Sequence, residues 1–175
     1  MTLCFEFDMR PDIYKVVEIG KGFLAVMTKP VGGEWIEEEF HEISQFGIKC
    51  LVSLLEEHEI KELGLSSAPE LCTSNGIHFI NFPIKDRGVP LSHIKTFGVI
   101  EDVYRRISNG ENTVIHCRAG IGRTGLLAAS VLVKHGHSPN DAFRLVSKAR
   151  GVDVPDTRDQ SDWVISNQKS LQLKG

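Results

Sequence analysis

The run Thr113–Val133, "TVIHCRAGIGRTGLLAASVLV", constrains what this chain can fold into more than any other stretch. A short β-branched segment, Thr113–His116, enters a loop with glycines at 120, 122 and 125, and Gly125–Val133 is apolar all round. A strand, a tight turn and a helix buried against a sheet fit that order. Such a turn offers unpaired backbone N–H groups at a helix start, which is a seat for an anion. Two uses of the seat compete. Gly120-x-Gly122-x-x-Gly125 has the spacing of a dinucleotide-binding turn, whereas Cys117 followed six positions later by Arg123 has the spacing of a thiolate that attacks a phosphate.

The dinucleotide use requires a helix, a second strand and an acid at that strand's end. The segment after the first helix, "SPNDAFRLVSKARG", is instead a second helix, with Asp141 at its start. The glycines also come after several strands, and no Gly-Lys-Ser/Thr of a Walker-type loop is present. No cofactor is therefore expected.

The thiolate use gives nearly every residue a task. A cysteine at a helix start beside cations can drop from a pKa of about 8.5 to roughly 3.5–7.5. A shift of about three units is worth roughly 4 kcal/mol in favour of the thiolate. Arg123 supplies a planar fork that matches two phosphate oxygens and can stabilise charge during transfer. Thr124 can donate to the sulfur as the thiolate leaves, and His116 is expected to orient the loop rather than give up a proton. Arg118, Ala119, Gly120, Ile121, Gly122 and Arg123 would line the phosphate seat.

The neighbouring segments predict an α/β fold. Ile13–Val17 and Phe23–Met27 read as a hairpin across "EIGKG". Ile36, Phe40 and Ile43 form a helical stripe that Gly47 stops. Cys50–Leu55 and Ile77–Phe82 read as buried strands, and residues 64–75 as a long surface connection. Ser92 opens a helix with Ile94, Phe97, Ile100, Tyr104 and Ile107 on one face. Ser138-Pro139-Asn140-Asp141 has the form of a helix start, Gly151 of its stop, and a last helix begins near Asp156 or Thr157, burying Trp163 and Val164. One domain over residues 1–175, with its core at about 20–170, is expected to hold a mostly parallel central sheet with helices on both faces.

A net charge of −3 speaks against a nucleic-acid partner. No apolar run approaches ~20 residues, so no membrane span is expected. "MTLCFEFDMRPD" does not read as a secretion signal. Cys4, Cys50, Cys72 and Cys117 are scattered without a Cys-x-x-Cys pair, which argues against a zinc cage or disulfide scaffold. His135-Gly-His137 reads as an exposed turn, and no metal is expected. A cytoplasmic monomer, in a compartment that keeps thiols reduced, is the simplest setting.

"HCRAGIGRTG" (His116–Gly125) resembles the His-Cys-x5-Arg-Ser/Thr loop of the cysteine-dependent protein tyrosine phosphatase superfamily. The order of elements over about 20–170 resembles the small dual-specificity members, and among them the kinase-associated (cyclin-dependent kinase inhibitor 3-like) group. The resemblance implies a phosphomonoester hydrolase with a phosphocysteine intermediate. A leaving alkoxide or phenoxide needs a proton from an acid on a separate loop. "IKDRGVP" (Ile84–Pro90) resembles the family's Trp-Pro-Asp-x-Gly-x-Pro loop with Ile84 and Lys85 replacing Trp and Pro, and offers Asp86, which would then act as base on a water.

The family's Gln-Thr-x-x-Gln stretch, which places that water, is matched in "DTRDQSDW" by Thr157 and Gln160, but Asp156 stands at the first glutamine. The resemblance implies a pocket accepting phosphoserine and phosphothreonine as well as phosphotyrosine on a protein or peptide. Arg118 at the rim would favour an acidic neighbour or the extra phosphates of an inositol lipid, although Ile121 is apolar where lipid-directed members carry lysine. A catalytically quiet phosphate-binding module is the alternative outside enzymes. Sulfur transfer of the rhodanese kind leaves Arg123 and Asp86 unexplained.

Overall fold

A computed structural model describes residues 10–173 of the 175. Residues 1–9, with Cys4 and most of the stretch read against a secretion signal, lie outside the described residues. Five strands make one sheet in the order β1-β2-β5-β3-β4. β1 (Ile13–Ile19) and β2 (Gly22–Met27) form the antiparallel hairpin, with an irregularity between Lys15 and Val17. β3 (Cys50–Ser53), β4 (His78–Asn81) and β5 (Thr113–His116) run parallel to one another and to β2.

Alternate side chains of each strand face opposite layers. Leu24 and Val26 of β2, Val52 of β3 and Ile115 of β5 pack with α4 (His93–Ser108), α5 (Gly122–His135), α6 (Pro139–Arg150) and α7 (Arg158–Ser166). Ala25, Met27, Leu51 and Val114 pack on the other face with α1 (Ile36–Gln45) and α3 (Ala68–Ser74). Helices thus cover both faces of a mostly parallel sheet. In α5 every residue from Arg123 to Val133 is buried, as a helix with no polar side must be.

Local chemistry sets several boundaries. Ser92 accepts from the Lys95 amide at 3.3 Å and Ser138 from the Asp141 amide at 3.1 Å, each satisfying an otherwise unpaired donor. Gly151 closes α6 in a left-handed conformation, with φ +79°. Thr157 and Gln160 form a reciprocal capping box on α7, which buries Trp163 and Val164.

Four expectations need correction. The stretch 64–75 contains α3, which buries Ala68 and Cys72 against the sheet, and α2 (Glu57–Glu62) precedes it. β4 is an edge strand paired with β3 alone, so it is partly exposed rather than buried. Ile94 is 88% exposed, because α4 turns Thr96, Ile100, Val103 and Ile107 inward. At about 100° per residue, Ile94 lies far round the helix from that row. Finally, α5 begins at Gly122, not Gly125, which places Arg123 and Thr124 in its first turn. Among the described residues no helix is long and apolar enough to cross a membrane.

Candidate active site

The carboxyl ends of β2, β5 and β3 come level at Met27, His116 and Ser53. Ligands of open α/β sheets bind at that edge. From it Cys117 enters the loop to α5, tied to its neighbours where Leu54 N donates to the His116 carbonyl (3.0 Å) and Lys29 N to the Arg118 carbonyl (3.1 Å). Gly120 has φ +69°, and a Cβ there would lie 2.4 Å from the Met27 carbonyl oxygen, so only glycine fits. Gly122 and Gly125 in turn lie close against the chain from Val154 to Gln160.

Cys117 is 3% exposed, and the Thr124 hydroxyl donates to its sulfur at 3.0 Å. The His116 ring is buried with Nδ1 3.1 Å from the Cys117 carbonyl oxygen. Burial, reinforced by the charges of Arg123 and Lys29, outweighs that bond and pushes the His116 pKa down to about 4. The ring is therefore neutral near pH 7. A carbonyl oxygen only accepts, so Nδ1 carries the proton and donates.

Arg123 is 1% exposed. Its Nη1 donates to Glu59 Oε2 (2.7 Å) and the Ile84 carbonyl (3.0 Å), and its Nη2 to Glu59 Oε1 (2.9 Å). Burial works against both charges, but the bonds from Arg123, the Glu56 amide and Arg118 hold the Glu59 carboxyl down at about 2. Burial also opposes the Arg123 charge, yet Glu59 and the neighbouring Cys117 and Asp86 keep its pKa above the ordinary value. Nη2 lies 3.2 Å from Asp86 Oδ1. Nε of Arg123 is buried with no hydrogen-bond partner. A native interior rarely leaves such a donor unmet. Glu59 thus holds the Nη1–Nη2 edge of the guanidinium.

A cavity of about 220 Å³ joins these groups. Asp86, Cys117, Arg118, Ala119, Ile121, Gly122 and Arg123 line it, together with Arg87 and Asp156. Gly120 does not line it; it turns back against β2. Larger cavities, one of about 420 Å³ under α4 and α5 and one of about 260 Å³ beside His116, contain no thiol. The first amides of α5 have no acceptor within their helix, and Gly122 and Arg123, which carry two of them, line the smaller cavity.

Comparison with known proteins agrees with this geometry. A profile describing a polymorphic toxin system DSP-PTPase phosphatase matches residues 25–137. The chain belongs to the dual-specificity protein tyrosine phosphatase family. It is 32% identical over 148 residues to protein tyrosine phosphatase domain-containing protein 1 of Danio rerio, covering 78% of this chain and 20% of that protein. It is 25% identical over 130 residues, 74% of this chain and 61% of the relative, to mouse cyclin-dependent kinase inhibitor 3. In structure it resembles kinase associated phosphatase, with a TM-score of 0.83 at 21% identity over 93% of this chain and 96% of the other. The chain spans about a fifth of the length of the first curated relatives it matches.

Within this family, the two outer segments differ from what their motifs led one to expect. Arg118 does not project freely at the rim: its Nη2 is 3.1 Å from Glu62 Oε2 and its Nε 3.4 Å from Glu59 Oε1. Gln160 is fully buried behind Gly122 rather than on the cavity wall. Its Oε1 accepts from the amides of Asp156 (3.2 Å) and Thr157 (3.1 Å), and its Nε2 donates to the Gly88 carbonyl at 3.1 Å. It thereby fastens the Asp86 loop to the start of α7. Asp156 lies on the wall, paired with Arg87 at 2.6 Å.

Three residues of the site were missed by sequence reasoning. Glu59 sits among Glu56, Glu57 and Glu62, and nothing local sets it apart. Arg87 is hidden beside the acid it follows. Arg150, in the last turn of α6, donates to the Ala119 carbonyl at 3.0 Å while its guanidinium stacks on Tyr14 at 4.8 Å.

Proposed function

We propose that this protein is a protein phosphatase of tyrosine or dual specificity that works through a phosphocysteine intermediate. The reading rests above all on Arg123: buried, oriented by Glu59, and lining the same cavity as Cys117 and Asp86. A guanidinium so placed can pair with a phosphate oxygen.

The thiolate of Cys117 attacks phosphorus, a P–S bond forms, and the bond to the leaving oxygen breaks. Asp86, in its acid form, passes a proton to that oxygen. Arg123 and the opening amides of α5 hold the equatorial oxygens as charge shifts across them. Water then attacks the phosphocysteine, giving its proton to Asp86, and the P–S bond breaks while Thr124 donates to the departing sulfur. His116 keeps the loop in place through the Cys117 carbonyl. Gln160 acts as a strut, and Ala119, Gly120, Ile121 and Gly122 shape the seat.

With Arg118 engaged by two glutamates and Ile121 apolar, the cavity offers few free cations for an inositol polyphosphate, which favours protein substrates. The phosphatase domain is taken to span residues 1–175 with its core at about 20–170. A reducing cytoplasm suits a thiol that must remain free.

Turnover of an aryl phosphate and of phosphotyrosine and phosphothreonine peptides tests the reading. Hydrolysis by the unaltered protein and its loss in Cys117→Ser, with peptide binding retained, is the expected result. Full activity in Cys117→Ser excludes the mechanism. Binding without turnover by the unaltered protein means a phosphate-binding module instead.

A further inference from the structure

We propose that Arg87 is a second anion-binding group of this site, kept in reserve by Asp156, and that the preferred substrate is a phosphopeptide with an acidic residue beside the phosphorylated one. The proposal rests on the phosphatase reading and names its substrate class.

Arg87 directly follows Asp86, in a turn closed by the Gly88 amide on the Lys85 carbonyl at 2.8 Å. Its φ is +58°, and Arg87 is the single non-glycine residue with positive φ among the described residues. At that position of a turn glycine or asparagine is usual, and a larger residue held there points to a functional constraint. From this turn the guanidinium reaches Asp156 at 2.6 Å, and both side chains line the cavity of Cys117.

The other two arginines of the cavity are already committed. Arg123 and Arg118 share Glu59, and Arg118 also meets Glu62. The Arg87–Asp156 pair is wet, with side chains 64% and 42% exposed, and among the described residues Arg87 has no second carboxylate like the buried Glu59 that also holds Arg118. Such pairs are weak and exchange readily. A phosphate dianion entering the loop repels the Asp156 carboxylate on the same wall, which loosens its hold on Arg87. A substrate carboxylate can then take the guanidinium as a forked, charge-assisted pair. One exchangeable cation matches one acidic side chain, whereas a polyphosphate headgroup needs several.

The test uses two phosphotyrosine peptides that differ only in a glutamate or a glutamine next to the phosphotyrosine. The unaltered protein, Arg87→Gln and Asp156→Asn are compared by kcat/KM and, on a Cys117→Ser background, by Kd. The unaltered protein is expected to prefer the acidic peptide by about fivefold, Arg87→Gln to lose that preference, and Asp156→Asn to enlarge it. Equal preference in the unaltered protein and Arg87→Gln overturns the proposal. So does loss of preference in both variants, which makes the pair a strut. Tighter binding of a soluble inositol bisphosphate than of the acidic peptide overturns the peptide assignment. Because Kd is read without turnover, an inactive chain fails the phosphatase reading while still reporting on Arg87.

Discussion

The loop of Cys117 and the loop of Asp86 face each other across one small cavity, yet they are built in opposite ways. The first is locked. Cys117, His116, Arg123 and Thr124 are buried, and Arg123 is clamped by an equally buried Glu59. The second is lightly held. Asp86 and Arg87 are 65% and 64% exposed, and the turn is retained by two ion pairs, Arg87–Asp156 and Asp86–Arg123, and by Gln160 on the Gly88 carbonyl. The difference suits their proposed tasks, since a phosphate seat must be in place before the substrate arrives, while an acid must approach a leaving oxygen and then a water. It also teaches that substitutions on the two sides should fail differently, one through stability and the other through turnover alone.

The sharpest way to break the comparison is Glu59→Ala. It leaves Arg123 charged and buried without its partner, a loss expected to cost about 3–5 kcal/mol. Thermal or urea denaturation should show it, with turnover falling as well; a variant as stable as the parent would mean the clamp is not structural. Asp86→Asn comes next. It should lower turnover by about 10²–10⁴-fold and shift stability by less than about 0.5 kcal/mol. Its deficit should be larger with phenyl phosphate than with an activated aryl phosphate, because a good leaving group needs no proton. A deficit equal for both esters would remove Asp86 from the acid's role.

A third test concerns pH. His116 has a folded pKa of about 4, below the ordinary 6.5, so the unfolded chain takes up the proton first. The stabilisation from the neutral buried ring is complete above about pH 6.5 and is lost as the pH falls through about 4, a change on the order of 3 kcal/mol. Glu59, held at about 2 against an ordinary 4.5, continues the loss from about pH 4.5 down toward 2. A melting temperature that stays level from pH 6.5 to 4.5 would contradict the His116 account, and His116→Asn should flatten that limb. The smallest effect is expected of Gln160→Ala, which joins the two regions. Loss of the cap should cost about 1 kcal/mol, and kcat should drop more than KM changes as the Asp86 loop loosens. If KM rises instead and kcat holds, Gln160 acts on the phosphate seat.

How much of the molecule was legible in the sequence depends on how local each signal is. Ser92, Ser138-Pro139, Gly151 and Thr157 mark helix ends through bonds to residues three or four away, so they can be read without knowing the fold. The hairpin of β1 and β2 and the strand-loop-helix around Cys117 are equally local. The segment 57–75 was not legible in the same way. α2 is short and acidic, and α3 is flanked by turn formers such as Ser66, Ser67 and Asn75, with only Ala68 and Cys72 buried within it. Ile94 misled for the converse reason. Its spacing fits an apolar row, but the sheet lies under Thr96, Ile100, Val103 and Ile107.

The amino-acid order alone determined the α/β class, the loop of Cys117 with Arg123 six residues on, and an acid in a turn after a strand, because each is a pattern within a few residues. Only the tertiary structure decided that Glu59 among four nearby glutamates grips Arg123, that Arg118 is engaged rather than free, and that Gln160 and Asp156 hold the turn of Gly88 and Arg87. Those pairings join residues 56 to 72 positions apart. Charge and hydrogen-bonding capacity are written in the sequence, but which partner satisfies them depends on the packing of the sheet and its helices.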